Sequence, residues 1–329
     1  MILTQWQTEL LLQFQGINAL WEKVMLFSTW LGYPFILLWI TATIFWCVDA
    51  RTGYRFAFFI LFGGVINEAL KLVFHLPRPY WTDPRIASIG HASSSFGFPS
   101  GHAQISAVWM YIGSLLRSRS GWALAILTAL LVGISRVFLG QHFPLQVLWG
   151  WIIGFVLYLV FIRLEQPLKN WFVKHNLIQK LAYLGVAAIL LCAVNWSIAQ
   201  RLSGWHMPEN WASNAQIYHD ADEDLNPADP GSGYALIMAL IGALFGMMLQ
   251  NQQGGYSAKG RLRKRLARWL VGTMAIVLLM GAFTFIEKIV PLEDGSAGMI
   301  IWDSLQSFII LFCIFHPLPA MFRRLRLLL

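Results

Sequence analysis

Lys71-Leu-Val-Phe-His-Leu-Pro-Arg78-Pro79 opens a stretch, residues 71–146, in which short polar islands interrupt an apolar sequence. Two more islands follow it, Pro99-Ser100-Gly101-His102 and Ser135-Arg136-Val-Phe-Leu-Gly-Gln-His142. Together they supply three fixed cations and two candidate catalytic histidines, each at or near the end of an apolar helix. Cations, a nucleophile and a proton donor are what phosphoryl transfer needs, because its catalysis rests on positioning and charge neutralisation.

The composition predicts an integral membrane protein. The chain has 329 residues, of which 57% are hydrophobic and 12% are charged, and its mean hydropathy is +0.58. A soluble domain carries about 25% charged residues, and an apolar helix needs roughly 17–25 residues to cross a bilayer. We therefore predict an all-α polytopic membrane protein with about nine transmembrane helices. The predicted spans are 25–48, 56–76, 101–116, 122–139, 144–163, 181–199, 233–250, 269–288 and 299–317.

The basic residues predict the orientation of these spans. Most of the 24 Lys and Arg residues lie in alternate loops and in the tail: Arg51, Arg55, Arg117, Arg119, Arg163, Lys169, Lys174, Lys180, Lys259, Arg261, Arg263, Lys264, Arg265, Arg268, Arg323, Arg324 and Arg326. By the positive-inside rule these loops are cytoplasmic. The N-terminus is then outside, the C-terminus is cytoplasmic, and all three islands face the non-cytoplasmic side. Because this distribution explains the net charge of +8, we expect no nucleic-acid partner.

Four segments are predicted along the chain. They are an amphipathic, interfacial segment 1–24, a catalytic five-helix core 25–163, a basic cytoplasmic linker 164–180 and a four-helix membrane extension 181–329. Within the extension, Gly242 and Gly246 are spaced for a close helix–helix contact.

The first two islands predict local contacts. Glu68 and Lys71 are three residues apart on one helix, so their side chains can touch, and Glu68 is interpreted as the partner that holds Lys71. Ser100 is a natural N-cap, and Gly101 allows close approach of the backbone. The free amides of a helix N-terminus form an anion site, and His102 projects from the same turn.

The third island places a cation and a histidine between two predicted helices. Arg136 ends one span on the side where the positive-inside rule disfavours arginine, so it is interpreted as functional rather than as a lipid anchor. His142 precedes Pro144, which favours the first position of a helix. Gln146 follows His142 by four residues and is predicted to reach back to its ring.

The motifs K-x6-R-P, P-S-G-H and S-R-x5-H, in this order, resemble the type 2 phosphatidic acid phosphatase superfamily over roughly residues 60–160. That superfamily also includes vanadium haloperoxidases, bacterial acid phosphatases and glucose-6-phosphatases. The resemblance implies that His142 is the nucleophile, which forms a phosphohistidine, and that His102 is the general acid. The family's lipid phosphatases need no metal ion, so we expect no metal ion and no other cofactor here.

The resemblance also implies which groups bind the phosphate oxygens. Lys71, Arg78 and Arg136 match the family's cations, and Ser100 with the amides at Gly101 and His102 matches the remaining contacts. The guanidinium fork suits the equatorial oxygens of a phosphoryl transition state.

One position departs from the commonest pattern of the family. The third motif usually continues H-x3-D, whereas position 146 is Gln here. The glucose-6-phosphatase branch resembles this chain at that point, since His142-Phe-Pro-Leu-Gln146 reads H-F-P-x-Q and Arg78-Pro79-Tyr80-Trp81 reads R-P-Y-W. We interpret Gln146 as an orienting residue, whose neutral oxygen accepts the ring N–H of His142.

These expectations describe a metal-independent phosphatase of a lipid phosphate or diphosphate, acting at the non-cytoplasmic face. Undecaprenyl diphosphate is the first expectation for a bacterial chain, with the site facing the periplasm from the inner membrane. A eukaryotic chain would place it in the lumen of the endoplasmic reticulum. A glucose-6-phosphatase-like hydrolase of a soluble phosphomonoester, a phosphate-binding transporter and a lipid phosphotransferase remain alternatives. Oligomeric state and the role of the last four spans stay open.

Overall fold

A computed structural model describes residues 2–16, 18–116, 118–220, 225–293 and 295–328. Arg117 and the acidic residues 222–224 therefore lie outside the described residues. All regular secondary structure in these ranges is α-helical. The helices are α1 Ile2–Gln15, α2 Ala19–Trp30, α3 Pro34–Cys47, α4 Ala50–Phe74, α5 Pro79–Thr82, α6 Gly101–Ile105, α7 Val108–Leu116, α8 Arg119–Phe138, α9 Pro144–Val173, α10 Leu177–Arg201, α11 Glu209–Gln216, α12 Gly231–Gln252, α13 Leu262–Ile289, α14 Ala297–Phe315 and α15 Pro317–Arg324.

The predicted all-α membrane fold is confirmed. Among the described residues, seven helical segments are long and apolar enough to cross a bilayer, and an eighth results if α2 and α3 form one bent span. The seven are Ala50–Thr82, Arg119–Phe138, Pro144–Val173, Leu177–Arg201, Gly231–Gln252, Leu262–Ile289 and Ala297–Arg324. The count of nine and the orientation of the ends stay predictions.

The segment 25–48, predicted as one span, is a bent pair of helices, and its crossing of the bilayer as one span stays a prediction. α2 and α3 meet at 52°, where the amides of Gly32 and Tyr33 bond the carbonyls of Thr29 and Trp30 in a turn. Pro34 then begins α3. Since proline disfavours helical backbone in the residue before it, the sequence itself stops α2 short of this point.

The segment 101–116 is also interrupted, at Ser106 and Ala107, between α6 and α7. The Ser106 hydroxyl donates to the carbonyl of Ala103, three residues back. The amide of Ala107 likewise bonds the carbonyl of Gln104 rather than one four residues back. The expected long helix after Ser100 is therefore a single short helix followed by a second one.

The chain forms two compact units, which do not follow the predicted division into four segments; that division stays a prediction. One unit comprises 1–36, 66–164 and 197–230, and it contains all three islands. The other comprises 37–65, 165–196 and 231–329. In the second unit, a Cβ at Gly242 would overlap the carbonyl of Phe308 and one at Gly246 would lie 3.0 Å from that of Phe312. The predicted close helix contact is thus present, between α12 and α14.

In the first unit, the N-terminal helix packs on the loops of the islands; its interfacial position stays a prediction. Leu11 is 0% exposed and belongs to the unit's apolar core. Gln15 donates to the carbonyl of Ala87 at 2.7 Å, and its own amide oxygen accepts from the Ala87 N–H at 3.0 Å. Gln7 accepts from the amide of Leu145 at 3.0 Å. α1 therefore holds two segments of the unit that are distant in sequence.

Candidate active site

Arg78 is the most connected side chain of the site, and it is only 2% exposed. Its Nε donates to the carbonyl of Ser95 at 2.6 Å, and one terminal nitrogen donates to the carbonyl of Gln141 at 3.1 Å. The other terminal nitrogen lies 3.0 Å from the hydroxyls of both Ser93 and Ser95. The guanidinium therefore joins the loop after the first island to the third island, and its five fixed donors suit this fork geometry.

Lys71 lies beside Arg78 through a shared serine. Its Nζ donates to the Glu68 carboxylate at 2.7 Å and to the Ser95 hydroxyl at 3.1 Å. The contact predicted from the spacing of Glu68 and Lys71 is present. Because Ser95 contacts both cations, the serines of this loop help to fix the distance between them, a role that no sequence motif indicated.

The ring of His142 is held by a backbone carbonyl. Its Nδ1 lies 2.7 Å from the carbonyl oxygen of Gly97, so this nitrogen carries the proton and donates. The tautomer leaves an unshared pair on Nε2, which lies 3.4 Å from a terminal nitrogen of Arg78. An imidazole lone pair next to a guanidinium can attack the phosphorus of an anion that the guanidinium binds.

The predicted contact between Gln146 and the His142 ring is wrong in this structure. Gln146 Oε1 accepts from the amide of Phe143 at 3.1 Å, and its Nε2 donates to the carbonyl of Pro77 at 2.8 Å. The physical reason is that the carbonyl of Gly97 already takes the ring proton. Gln146 instead ties the turn after His142 to the chain just before Arg78.

A substitution tests this indirect role of Gln146. Gln146→Met keeps the length of the side chain but leaves the Phe143 amide and the Pro77 carbonyl without their partners. We expect kcat to fall about tenfold and the free energy of unfolding to fall by about 2–5 kcal/mol, because two buried polar groups lose hydrogen bonds. Steady-state kinetics and thermal unfolding in detergent measure both effects. Gln166→Met, an exposed position on the same helix, is the matched control; wild-type kcat in Gln146→Met would refute the role.

Three buried polar atoms of the site make no hydrogen bond within the described residues. They are the Oγ of Ser100, the Nε2 of His102 and the Nε of Arg136. Ser100 is the N-cap of α6, but its side chain makes no capping bond. Buried polar groups normally have partners, so an unpartnered set from two islands indicates that these groups bind something polar. A phosphate oxygen would satisfy each of them.

Gly101 has a steric reason for its identity. A Cβ there would lie 2.8 Å from the side-chain oxygen of Asn67. Asn67 is 2% exposed, and it donates to Gln104 at 2.8 Å and to the carbonyl of Pro99 at 3.3 Å. Asn67 therefore fixes the second island against α4, and the role of Gly101 as a phosphate contact stays a prediction.

Burial lowers the pKa of His142 well below its ordinary value of 6.5, and the charges of Arg78 and Arg136 lower it further. The hydrogen bond to the carbonyl of Gly97 opposes this shift. An imidazole must be neutral to attack phosphorus. Burial and the two cations therefore favour the neutral form of the His142 imidazole.

This shift predicts a pH dependence. Protonation of His142 removes the nucleophile, so the depressed pKa moves the acidic fall of kcat/KM below pH 6.5 wherever this group controls it. Nitrogen-15 NMR of the ligand-free protein, with His142→Ala to assign the signal, measures the same titration directly. A His142 ring that titrates at or above pH 6.5 would contradict the prediction.

Residues 205–218 of the first unit cover the R-P-Y-W residues, which sequence reasoning did not foresee. The backbone oxygen of Trp81 accepts from Asn214 at 3.0 Å, and the rings of Tyr80 and Tyr218 meet edge to face at 5.5 Å. Tyr80 and Trp81 are 0% and 1% exposed. The cluster of aromatic residues in 205–218 was the signal that could have revealed this cover.

In the part of the chain that the structure describes, no three His, Cys, Asp or Glu side chains come together, so no candidate metal site is found there.

The fold and this site define a multi-pass membrane protein with a phosphoryl-transfer centre. Comparison with known proteins then gives the family. Residues 53–170 match the PAP2 superfamily, and residues 234–328 match the PAP2 superfamily phosphatase, transmembrane extension.

This chain belongs to the PAP2 superfamily and is a phosphatase. It is 32% identical over 157 residues to Undecaprenyl-diphosphatase BcrC of Bacillus subtilis (strain 168), covering 46% of this chain and 79% of that protein. It is 28% identical over 166 residues to Undecaprenyl-diphosphatase of Sulfolobus acidocaldarius, and this match covers 49% of this chain and 79% of that protein. It is 34% identical over 164 residues to human Glucose-6-phosphatase 3, covering 41% of this chain and 46% of that protein. No solved structure matches the chain.

Proposed function

We propose that this protein hydrolyses a lipid phosphate or diphosphate through a phosphohistidine on His142. The observation that carries the proposal is the ring of His142, with Nδ1 fixed by the carbonyl of Gly97 and Nε2 beside Arg78. Arg78, Lys71 and Arg136 supply the charge neutralisation that the transferring group requires, so the proposal invokes no metal ion.

In the first step, the Nε2 lone pair of His142 forms a bond to phosphorus while the bond from phosphorus to the leaving oxygen breaks. His102 gives its proton to that oxygen, and the product leaves as an alcohol or, from a diphosphate, as a monophosphate ester. In the second step, water attacks phosphorus and the P–N bond breaks. The neutral His102 takes the proton of the water, which regenerates both histidines and releases inorganic phosphate.

Two observations support a lipid substrate. The end of α4 and the residues after it, from Lys71 toward Arg78, expose the apolar side chains Val73, Phe74 and Leu76 at 48%, 46% and 43%. An acyl or isoprenoid chain can therefore lie beside the phosphate-binding cations without leaving the apolar phase. Two relatives are named for undecaprenyl diphosphate, and this diphosphate is the first substrate we propose.

The distribution of Lys and Arg supports a site on the non-cytoplasmic side. For a bacterial chain this is the periplasmic face of the inner membrane, and for a eukaryotic chain it is the lumen of the endoplasmic reticulum. A cysteine introduced at Ser93, in the loop that binds Arg78, can be labelled in intact cells by a reagent that does not cross the membrane. Labelling only after the cells are opened would place the site on the cytoplasmic side instead.

A soluble sugar phosphate is the second candidate substrate. Similarity to human Glucose-6-phosphatase 3 favours it, as does the sequence His142-Phe-Pro-Leu-Gln146. The chain spans about half the length of that relative. The two candidates differ in whether the substrate partitions into micelles.

Phosphate release by the purified protein in detergent, with chelator present, tests these proposals. Undecaprenyl diphosphate, phosphatidic acid, phosphatidylglycerol phosphate and glucose 6-phosphate are offered side by side, with His142→Ala as the control. We expect release from the lipids that the control lacks. Release from glucose 6-phosphate alone would replace the lipid assignment, and phosphate binding without release from any of them would favour a transporter.

A further inference from the structure

The bend between α2 and α3 lies against the phosphoryl-transfer site, although none of the three islands includes it. It belongs to the same compact unit as the islands, because that unit contains residues 1–36. Two side chains on either side of Gly32 contact site residues: Thr29, at the end of α2, and Tyr33, just before α3. Neither residue belongs to a motif of the family resemblance described above.

Thr29 holds Arg136 through a buried hydrogen bond. A terminal nitrogen of Arg136 donates to the hydroxyl of Thr29 at 2.8 Å, and the two residues are 5% and 2% exposed. Among the described residues, the Nε of Arg136 has no partner. The threonine therefore fixes one end of the guanidinium and leaves its Nε available to a ligand, and hydrogen bonds to charged groups are stronger than neutral ones.

Tyr33 and Gly32 hold the ring of His102. The rings of Tyr33 and His102 meet edge to face, with centroids 5.0 Å apart and planes at 77°. A Cβ at Gly32 would lie 2.9 Å from the Cδ2 of His102 and 2.7 Å from Val132. The missing side chain at Gly32 thus lets the bend approach the ring, and Tyr33 restricts its rotation while its Nε2 stays unpartnered.

We propose that Thr29 and Tyr33 are positioning residues of the phosphatase: Thr29 orients Arg136 toward the phosphate, and Tyr33 orients His102 toward the leaving oxygen. The bend in the first apolar segment brings both residues to the site. This inference rests on the proposed function, and it assigns different consequences to the two residues.

The test of Thr29 removes its oxygen with almost no change of volume. Thr29→Val is expected to lower kcat/KM about tenfold or more for every substrate, because Arg136 binds the phosphate common to all of them. Thr29→Ser is expected to restore it. Thr41→Val is the matched control: Thr41 is a buried threonine of α3 whose hydroxyl donates to the carbonyl of Leu37 in its own helix. Loss of activity in both Val variants, or in neither, would overturn the role of Thr29.

The test of Tyr33 compares two substrates whose leaving groups differ in basicity. A general acid matters most when the leaving oxygen is strongly basic and least when it is weakly basic. Tyr33→Leu is therefore expected to lower kcat for an alkyl phosphate about tenfold more than kcat for p-nitrophenyl phosphate. Tyr33→Phe keeps the ring against His102 and removes the hydroxyl, which hydrogen-bonds Arg136, so it is expected to show no such difference between the two substrates. An equal fall for the two substrates indicates a merely structural role and would overturn the assignment.

Binding of orthovanadate separates failure of this inference from failure of the proposed function. Vanadate adopts the five-coordinate geometry of a transferring phosphoryl group, and its affinity can be measured by calorimetry without turnover. Thr29→Val is expected to weaken it about tenfold, whereas Thr41→Val is expected to leave it unchanged. If wild-type protein hydrolyses nothing yet this difference holds, the hydrolytic function fails and the positioning role stands. Equal affinities in wild type and Thr29→Val would overturn the positioning role.

Discussion

His142→Ala is expected to lower kcat by at least about 10⁴-fold, the order of loss seen when the nucleophile of a covalent mechanism is removed. In the structure this ring is 2% exposed, its Nδ1 donates to the carbonyl of Gly97, and its Nε2 lies 3.4 Å from Arg78. No second imidazole replaces that lone pair, because His102 is assigned to the leaving oxygen. Phosphate release in detergent measures the loss, at a temperature below the unfolding transition of the variant.

A second variant separates the missing nucleophile from the missing hydrogen bond. His142→Asn retains an N–H that can reach the carbonyl of Gly97 but has no nucleophilic nitrogen, so it is expected to be as inactive as His142→Ala. His175→Ala is the control, since the His175 ring packs on Trp171 and Tyr183 in the other unit. Labelled phosphate that stays on wild-type protein after an alkaline quench identifies the covalent intermediate. Substantial turnover by His142→Asn would remove His142 as the nucleophile.

The sequence predicted the parts of this site that depend on local spacing. The ion pair between Glu68 and Lys71 follows from a separation of three residues on one helix. The positions of Ser100 and His142 at helix starts follow from capping and proline preferences. These effects act within a turn of helix, so the order of residues alone determines them.

Contacts made by backbone carbonyls could not be predicted in the same way. The carbonyl of Gly97 holds the His142 ring, and those of Ser95 and Gln141 hold Arg78. Every residue has a carbonyl, so no residue type marks the position that uses one. The prediction that Gln146 would hold the ring failed for this reason: it considered only side chains as acceptors.

The breaks in two predicted helices could not be foreseen, because apolar composition carries no information about the direction of the backbone. Residues 25–48 and 101–116 are uniformly apolar enough to be taken for single spans, yet the first bends by 52° and the second is interrupted at Ser106. Gly32 and Pro34 in the first were the local signals of the break. At this break Gly32 packs closely against Val132 of α8 and against His102. These contacts arise only in the folded chain, so apolar composition could not indicate them.

Arg78→Lys is expected to lower kcat about 10²–10³-fold, although the substitution preserves the charge. Arginine reaches the carbonyls of Ser95 and Gln141 and the hydroxyl of Ser93 through different nitrogens of one rigid plane. A lysine has one nitrogen and cannot reach all of these acceptors. The distance between the cation and the Nε2 of His142 then becomes variable, and catalysis by positioning is sensitive to changes of about 1 Å.

The same substitution is expected to destabilise the fold, since each buried acceptor that loses its donor costs about 1–3 kcal/mol. Kinetics and thermal unfolding of Arg78→Lys are therefore compared with Arg85→Lys. Arg85 lies in the same loop, pairs with Asp83 at 2.7 Å and is 61% exposed, so its replacement is expected to leave kcat and the unfolding temperature nearly unchanged.

For Arg78→Lys we expect kcat to fall more than KM rises. In the proposed mechanism the Arg78 guanidinium neutralises charge that accumulates during transfer, and it does not serve only to bind the ground state. A rise in KM with no change in kcat would show that Arg78 binds the substrate and holds the loop but does not stabilise the transition state.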